Sequence, residues 1–282
     1  MFYLIITTVI WSLSFSLIGN TLSPDINSWS LAFSRSVIAC ILFLPWINFK
    51  IPISYILKIT FIGVLQIGVM YMLYLSAFRH TSVEKILLFT VTTPFYVTMI
   101  SQILNKEIRL FAYLTILLSI MGGIVIRMTD FDDRDFIGLI LIQLANVCFA
   151  SGQVLYKRIK ADSKISTNVY TDFSFFFIGA SLITFIGLII SPSGYTYPKS
   201  INQWLLVFWL GGAASGVGYY FWNYGATKVK VETLATMNNL VIPLGLLIEV
   251  LLFSGSHDFK TFIIGTVIII SSIAASLRYG KI

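Results

Sequence analysis

The chain is a succession of apolar runs, each close to the length at which a helix crosses a bilayer. About 20 consecutive apolar residues are needed to span the hydrocarbon core. Only 11% of the 282 residues are charged, against about 25% in an ordinary soluble domain. The sequence therefore predicts an all-α membrane protein with ten transmembrane helices. The predicted spans are 2–19, 29–47, 55–78, 83–104, 110–128, 136–157, 169–190, 203–226, 232–253 and 260–278.

The basic residues predict how these helices are oriented. Although the net charge is +7, the Lys and Arg residues are scattered between apolar runs, so we expect the lipid bilayer as a partner and no nucleic acid. Of the 19 basic residues, Arg35 falls well inside a span, and the others divide twelve to six between the two sets of connectors. Because cytoplasmic loops carry the excess of Lys and Arg, this asymmetry predicts a multi-pass protein with both termini in the cytoplasm.

The chain divides into two halves of five predicted spans, residues 1–129 and 134–282. A constant offset of 148 residues, which we call the repeat shift, takes Tyr71 to Tyr219 and pairs identical residues in the third-to-fourth and eighth-to-ninth spans; one further residue pairs Pro94 with Pro243. Because five is an odd number, the second half must be inverted relative to the first. Inverted repeats typically hold a substrate site between them near the bilayer midplane, so we expect a transporter. The paired positions are Gly63 and Gly211, Gly68 and Gly216, Tyr71 and Tyr219, Val83 and Val231, and Glu84 and Glu232.

Several polar residues inside the spans allow two interpretations each. Arg35 either anchors a carboxylate through its guanidinium fork or ties helices together through carbonyl groups. Neighbouring helical residues point about 100° apart, so Asn238 and Asn239 are expected to divide between a cavity and a partner helix. Glu249 and Asp172 either couple protons to transport or lie at the membrane interface.

Pro94 and Pro243 each remove a backbone hydrogen-bond donor from a span. Each follows a run of hydroxyl or amide side chains, so the two prolines either shape a central cavity or simply kink their helices.

The sequence contains no pattern typical of catalysis. It lacks a Ser/His/Asp set, a P-loop and a cluster of metal ligands, and Cys40 and Cys148 both lie in apolar segments. We therefore expect no enzyme activity, no cofactor and no bound metal.

Long stretches of the chain resemble a known family of transporters. The five-plus-five arrangement resembles the EamA branch of the drug/metabolite transporter superfamily. The closest resemblance is to its YigM-type bacterial biotin transporters, which share stretches similar to LLFTVTTPFYVT (87–98) and ASGVGYYFWNYGATKVKVETLATMNNLVIPLGLL (214–247). Residues 253–256, FSGS, depart from the usual acidic ending of the ninth span.

The resemblance implies a secondary transporter of the bacterial inner membrane that imports biotin; the alternative is an EamA-type exporter of amino acids, amines or other small metabolites. Biotin carries a ureido head, an apolar ring and a carboxylate. Amides and phenols suit the ureido group, aromatic rings suit the apolar ring, and Arg35 or the hydroxyls of Thr90 and Thr93 suit the carboxylate. The expected substrate-binding residues are Trp11, Arg35, Tyr71, Thr90, Thr93, Tyr96, Asn146, Trp222, Asn223, Tyr224, Asn238 and Asn239.

Overall fold

The computed structural model describes residues 1–126, 132–162, 167–253 and 258–279, and the described residues form helices and no β-strand. Nine of these helices are long and apolar enough to cross a membrane, and Leu110–Ile126 is a shorter apolar helix of 17 residues. The predicted all-helical membrane fold is confirmed at this level. The helices are α1 (Phe2–Leu22), α2 (Ser28–Trp46), α3 (Ile53–Ala77), α4 (Val83–Asn105), α5 (Leu110–Ile126), α6 (Asp133–Asp162), α7 (Val169–Ile190), α8 (Ile201–Ala226), α9 (Val231–Phe253) and α10 (Phe259–Tyr279). Parts of the sequence predictions, at residues 127–129, 254–256 and 280–282, lie outside the described residues.

Helices α4 and α9 are interrupted at equivalent points. A 3₁₀ turn at Thr90–Thr92 breaks α4, and another at Asn238–Leu240 breaks α9, so the repeat shift takes the first turn onto the second. Each turn comes shortly before a proline, which cannot donate the helical hydrogen bond four residues back. In α4 the carbonyl that Pro94 leaves unpaired belongs to Thr90, and the hydroxyl of Thr93 donates to it at 2.7 Å.

Helices α3 and α8 also change their winding at corresponding places. Each contains a π-helical segment, Val64–Val69 in α3 and Leu210–Val217 in α8. The repeat shift places the first segment within the second. Segments of this kind are rare and are frequently found at functional sites.

The packing of the helices follows the same correspondence. Helix α4 packs on α6 as α9 packs on α1, and α3 packs on α6 as α8 packs on α1. Helices α5 and α10 pack against each other, with Gly122 and Gly265 facing. A Cβ atom on Gly122 would lie 2.8 Å from the carbonyl oxygen of Gly265, so only glycine permits this approach.

The connectors meet in two groups. In the first, the backbone N–H of Asn27, between α1 and α2, donates to Thr196 Oγ1 between α7 and α8 at 2.8 Å. Near the beginning of α4, Lys85 Nζ pairs with Asp135 Oδ2 near the beginning of α6 at 2.6 Å. We call this side the first face.

The second group lies at the opposite ends of the same helices. Arg158 Nη1, late in α6, donates to the carbonyl of Leu104 at the end of α4 at 2.7 Å. Lys157 Nζ donates to the carbonyl of Val229, between α8 and α9, at 2.6 Å. We call this side the second face. Helices α4, α6 and α8 each run from the first face to the second.

Candidate functional site

A cavity lies at the centre of the bundle, between α1, α2, α3, α4, α6, α8 and α9. Its volume is about 100 Å³. Residues at equivalent positions of the two halves face it together. The lining pairs related by the repeat shift are Tyr71 and Tyr219, Tyr74 and Trp222, Thr90 and Asn238, and Thr93 and Val241. We call this space the central cavity.

Arg35 lines the central cavity and is only 3% exposed. Its Nη2 donates to Tyr71 Oη at 2.8 Å and its Nε to Ser215 Oγ at 3.2 Å. Its Cζ lies 4.2 Å from the centroid of the Tyr71 ring, a cation–π distance. Within the described part of the chain, Nη1 has no hydrogen-bond partner and no carboxylate pairs with Arg35. The cavity wall therefore contains a buried positive charge suited to an anionic group.

Four aromatic rings form one wall of the central cavity. The ring of Trp11 lies 5.0 Å from those of Tyr219 and Trp222 and 5.5 Å from that of Phe149. Both indole N–H groups are occupied, since Trp11 donates to a carbonyl of α8 and Trp222 to a glutamine of α6, each at 2.8 Å. The wall therefore offers apolar ring faces suited to a flat, hydrophobic part of a ligand.

Two amide side chains contribute acceptors to the cavity. Asn146 Nδ2 donates to the carbonyl of Phe89 at 3.0 Å, and Asn238 Nδ2 donates to the carbonyl of Leu234 at 2.8 Å. Because a carbonyl can only accept, these bonds fix which amide atom is nitrogen. The Oδ1 atoms of Asn146 and Asn238 accept no hydrogen bond from the described residues, so both can accept from a ligand.

The structure brings together some of the residues expected from sequence and not others. The expected residues that line the central cavity are Trp11, Arg35, Tyr71, Thr90, Thr93, Asn146, Trp222 and Asn238. The remaining expected residues, Tyr96, Asn223, Tyr224 and Asn239, lie outside its lining.

These four residues make contacts elsewhere. Tyr96 Oη donates to Gln143 Oε1 at 3.2 Å, and Tyr224 stacks on a neighbouring tyrosine of α8. Asn223 is fully buried and bonds within α8. Asn239 Nδ2 donates to a carbonyl of α4 at 3.1 Å and to a serine of α5 at 2.8 Å. Asn239 therefore holds three helices together, whereas its neighbour Asn238 lines the cavity.

Sequence reasoning did not select several lining residues. Two of them, Tyr74 and Tyr219, could have been predicted from the internal repeat. The repeat shift pairs Tyr219 with the selected Tyr71, and Tyr74 with the selected Trp222. No comparable signal marked Phe149, which completes the aromatic wall. The other unselected polar or aromatic lining residues are Thr8, Ser14 and Phe15.

The sequence matches known transporters over nearly its whole length. The model of the EamA-like transporter family matches residues 1–128 and 136–278. A biotin transporter of Escherichia coli (strain K12) is 36% identical over 276 residues, which cover 96% of this chain and 90% of the relative. A protein of Pseudomonas aeruginosa described as a probable biotin transporter is 33% identical over 280 residues, covering 99% and 98%.

A solved crystal structure shares the fold. It superposes on 98% of both chains with a TM-score of 0.75 at 16% sequence identity. The family model and the relatives together account for almost every helix described above. This chain is therefore a member of the EamA-like transporter family.

Proposed function

We propose that this protein imports biotin across the bacterial inner membrane as a secondary transporter, by alternating access through the central cavity. The observation that carries the proposal is the buried guanidinium of Arg35, whose Nη1 has no partner within the described residues and which lines a cavity walled by aromatic rings. Such a cavity suits a ligand that combines a carboxylate with an apolar ring. Biotin combines these two groups, and the relatives are named biotin transporter and probable biotin transporter.

The remaining groups of biotin also find complementary atoms. Its ureido head has two N–H donors, and the cavity offers the unengaged Oδ1 atoms of Asn146 and Asn238 as acceptors. The thioether ring is matched by the faces of Trp11 and Trp222, and the valerate carboxylate by Arg35.

Alternating access requires two halves that can exchange roles, and several features support inverted five-helix repeats, residues 1–129 and 134–282. The repeat shift relates the interruptions of α4 and α9, and equivalent helices make equivalent contacts. Helix α4 ends at the second face, and α6 begins at the first face. The chain must therefore cross between them, and in this proposal α5 is that tenth crossing. The excess of basic residues supports a cytoplasmic location of the second face and of both termini in this proposal.

Cysteine labelling at one pair of equivalent residues tests the inversion. Ser82 and Lys230 are related by the repeat shift, both are exposed, and each precedes the first turn of its helix, α4 or α9. In a background without Cys40 and Cys148, an impermeant thiol reagent added to intact cells should label Ser82→Cys. It should label Lys230→Cys only after the cells are opened. Labelling of both positions from the same side would contradict inverted repeats.

Uptake of radiolabelled biotin tests the function itself. Cells that lack their own biotin transporter should accumulate label when this chain is produced, and an excess of unlabelled biotin should compete. An excess of amino acids serves as the control and should not compete. Absence of uptake despite protein in the membrane, together with export of preloaded amino acids or amines, would instead support an EamA-type exporter.

A further inference from the structure

A second, larger cavity opens at the first face. Its volume is about 760 Å³, and the connectors α1–α2, α3–α4 and α7–α8 contribute to its walls. Residues from within helices also line it, among them Asn20 of α1 and Glu249 of α9. We call this space the first-face cavity.

Glu249 differs from the other buried carboxylates. Among the described residues, three acidic side chains are buried: Asp135, Asp172 and Glu249. Asp135 pairs with Lys85 at 2.6 Å, and Asp172 pairs with Lys160 at 2.9 Å and accepts from two tyrosines. Glu249 has no cationic partner in the described part of the chain. A carboxylate buried without a compensating charge is strongly disfavoured, whereas the protonated acid is not.

The hydrogen bonding of Glu249 is also incomplete. Its Oε1 accepts from Asn20 Nδ2 at 2.9 Å, and its Oε2 is buried with no partner among the described residues. The side chain is 5% exposed in total. A proton on Oε2 would neutralise the group in place, and water in the first-face cavity can deliver it.

The bond between Glu249 and Asn20 joins two helices that also line the central cavity. Asn20 belongs to the π-helical segment Ile18–Leu22 of α1, in which Ile18 faces the central cavity and Asn20 the first-face cavity. On α9, Val241 lines the central cavity about two turns before Glu249. The bond therefore connects Glu249 to two helices that wall the substrate site.

The other charged groups of this region have separate roles. Helices α1, α4, α5 and α10 pack against α9, and α5 carries no charged side chain. Helix α10, which carries Lys260 and Arg278, contacts mainly Val231–Met237 and Asn238–Leu240, the part of α9 away from Glu249. Asp25, Arg79 and Glu84 line the first-face cavity, and none of them bonds to Glu249. Hydrogen bonds from Lys199 and then Gln203 lower the pKa of Asp25, which favours its ionised form.

We infer that Glu249 is a proton-binding site, loaded from the first-face cavity, whose protonation is coupled to movement of substrate through the central cavity. The coupling role rests on the proposed transport function. With the first face outward, a proton from the outer water binds Oε2, travels as the neutral acid while that face is closed, and returns to water on the other side. The protein thereby carries one proton with each substrate.

Transport by Glu249→Gln tests the coupling, because glutamine keeps the shape of the protonated acid and cannot release a proton. In proteoliposomes with the outside one pH unit more acidic, one-to-one coupling lets the wild type concentrate biotin up to about tenfold. We expect the variant to reach no accumulation while still exchanging labelled for unlabelled biotin. Glu84→Gln, a matched change at the same cavity, should behave as the wild type. Accumulation by Glu249→Gln equal to that of the wild type would overturn the inference.

A chemical test on the unmodified protein does not depend on biotin. A hydrophobic carbodiimide reacts with protonated carboxyl groups, so it should modify Glu249 in membranes, and the extent should fall as pH rises. Mass spectrometry of the peptides identifies the site, with the ion-paired Asp172 as internal control. Modification of Asp172 in preference to Glu249 would overturn the inference even if biotin were not the substrate. Wild-type protein that lacks biotin uptake but shows the expected labelling would overturn the proposed function alone.

Discussion

Arg35→Lys is expected to weaken biotin binding by about 2 kcal/mol or more, roughly thirtyfold in Kd. The guanidinium uses Nη2 and Nε to hold Tyr71 and Ser215, which leaves Nη1 for the ligand. A lysine ammonium has three donors on one atom and cannot reproduce this fork. Binding to purified protein in detergent, followed by isothermal titration calorimetry, measures the change.

The neutral analogue biotinamide separates a role in binding from a role in structure. The wild type should prefer biotin over biotinamide, and Arg35→Lys should lose much of this preference, because the lysine keeps the charge but not the planar fork of donors that positions it against the carboxylate. A lower melting temperature with an unchanged preference would show that Arg35 only ties α2 to α3 and α8.

The second large effect is expected from a pair of matched substitutions at adjacent residues. Asn238→Leu should weaken biotin binding by about 1–3 kcal/mol, since an acceptor is lost from a dry site. Asn239→Leu should instead lower the melting temperature, because Asn239 links α9 to Val91 of α4 and Ser119 of α5. Its affinity for biotin should stay close to that of the wild type.

The two variants contain the same side chain one position apart, so each serves as the control for the other. Affinity and thermal unfolding are measured on both proteins under the same conditions. Equal losses of affinity in the two variants would contradict the different placements of Asn238 and Asn239.

The membrane fold could be predicted because hydrophobic length is a local property of the sequence. Apolar runs such as 169–190 coincide with their helix, here Val169–Ile190. The π-helical segments were not predicted, because inserting one residue into a turn leaves composition unchanged and shifts the apolar pattern only slightly. The segments concerned are Val64–Val69 and Leu210–Val217.

The composition of the candidate site was partly predictable, whereas the rotation of each helix was not. The 100° step between neighbours predicted that Asn238 and Asn239 would divide, but it could not say which of them faces the cavity. Tyr96 and Tyr224 occupy suitable spans and lie outside the lining. Because nearly every face of a membrane helix is apolar, the sequence carries little information about its rotation.

The hydrogen bond between Arg35 and Ser215 has a consequence for how the protein is made. Its two residues are 180 positions apart, whereas Tyr71 follows Arg35 by only 36. At about 5–20 residues per second, the ribosome needs roughly ten to forty seconds to deliver Ser215 after Arg35. During this interval Tyr71 has already been synthesised and Ser215 has not, so of the two partners Tyr71 alone can shield the guanidinium in the bilayer. We therefore expect the tyrosine to shield the charged residue during synthesis, before it contributes to the finished cavity.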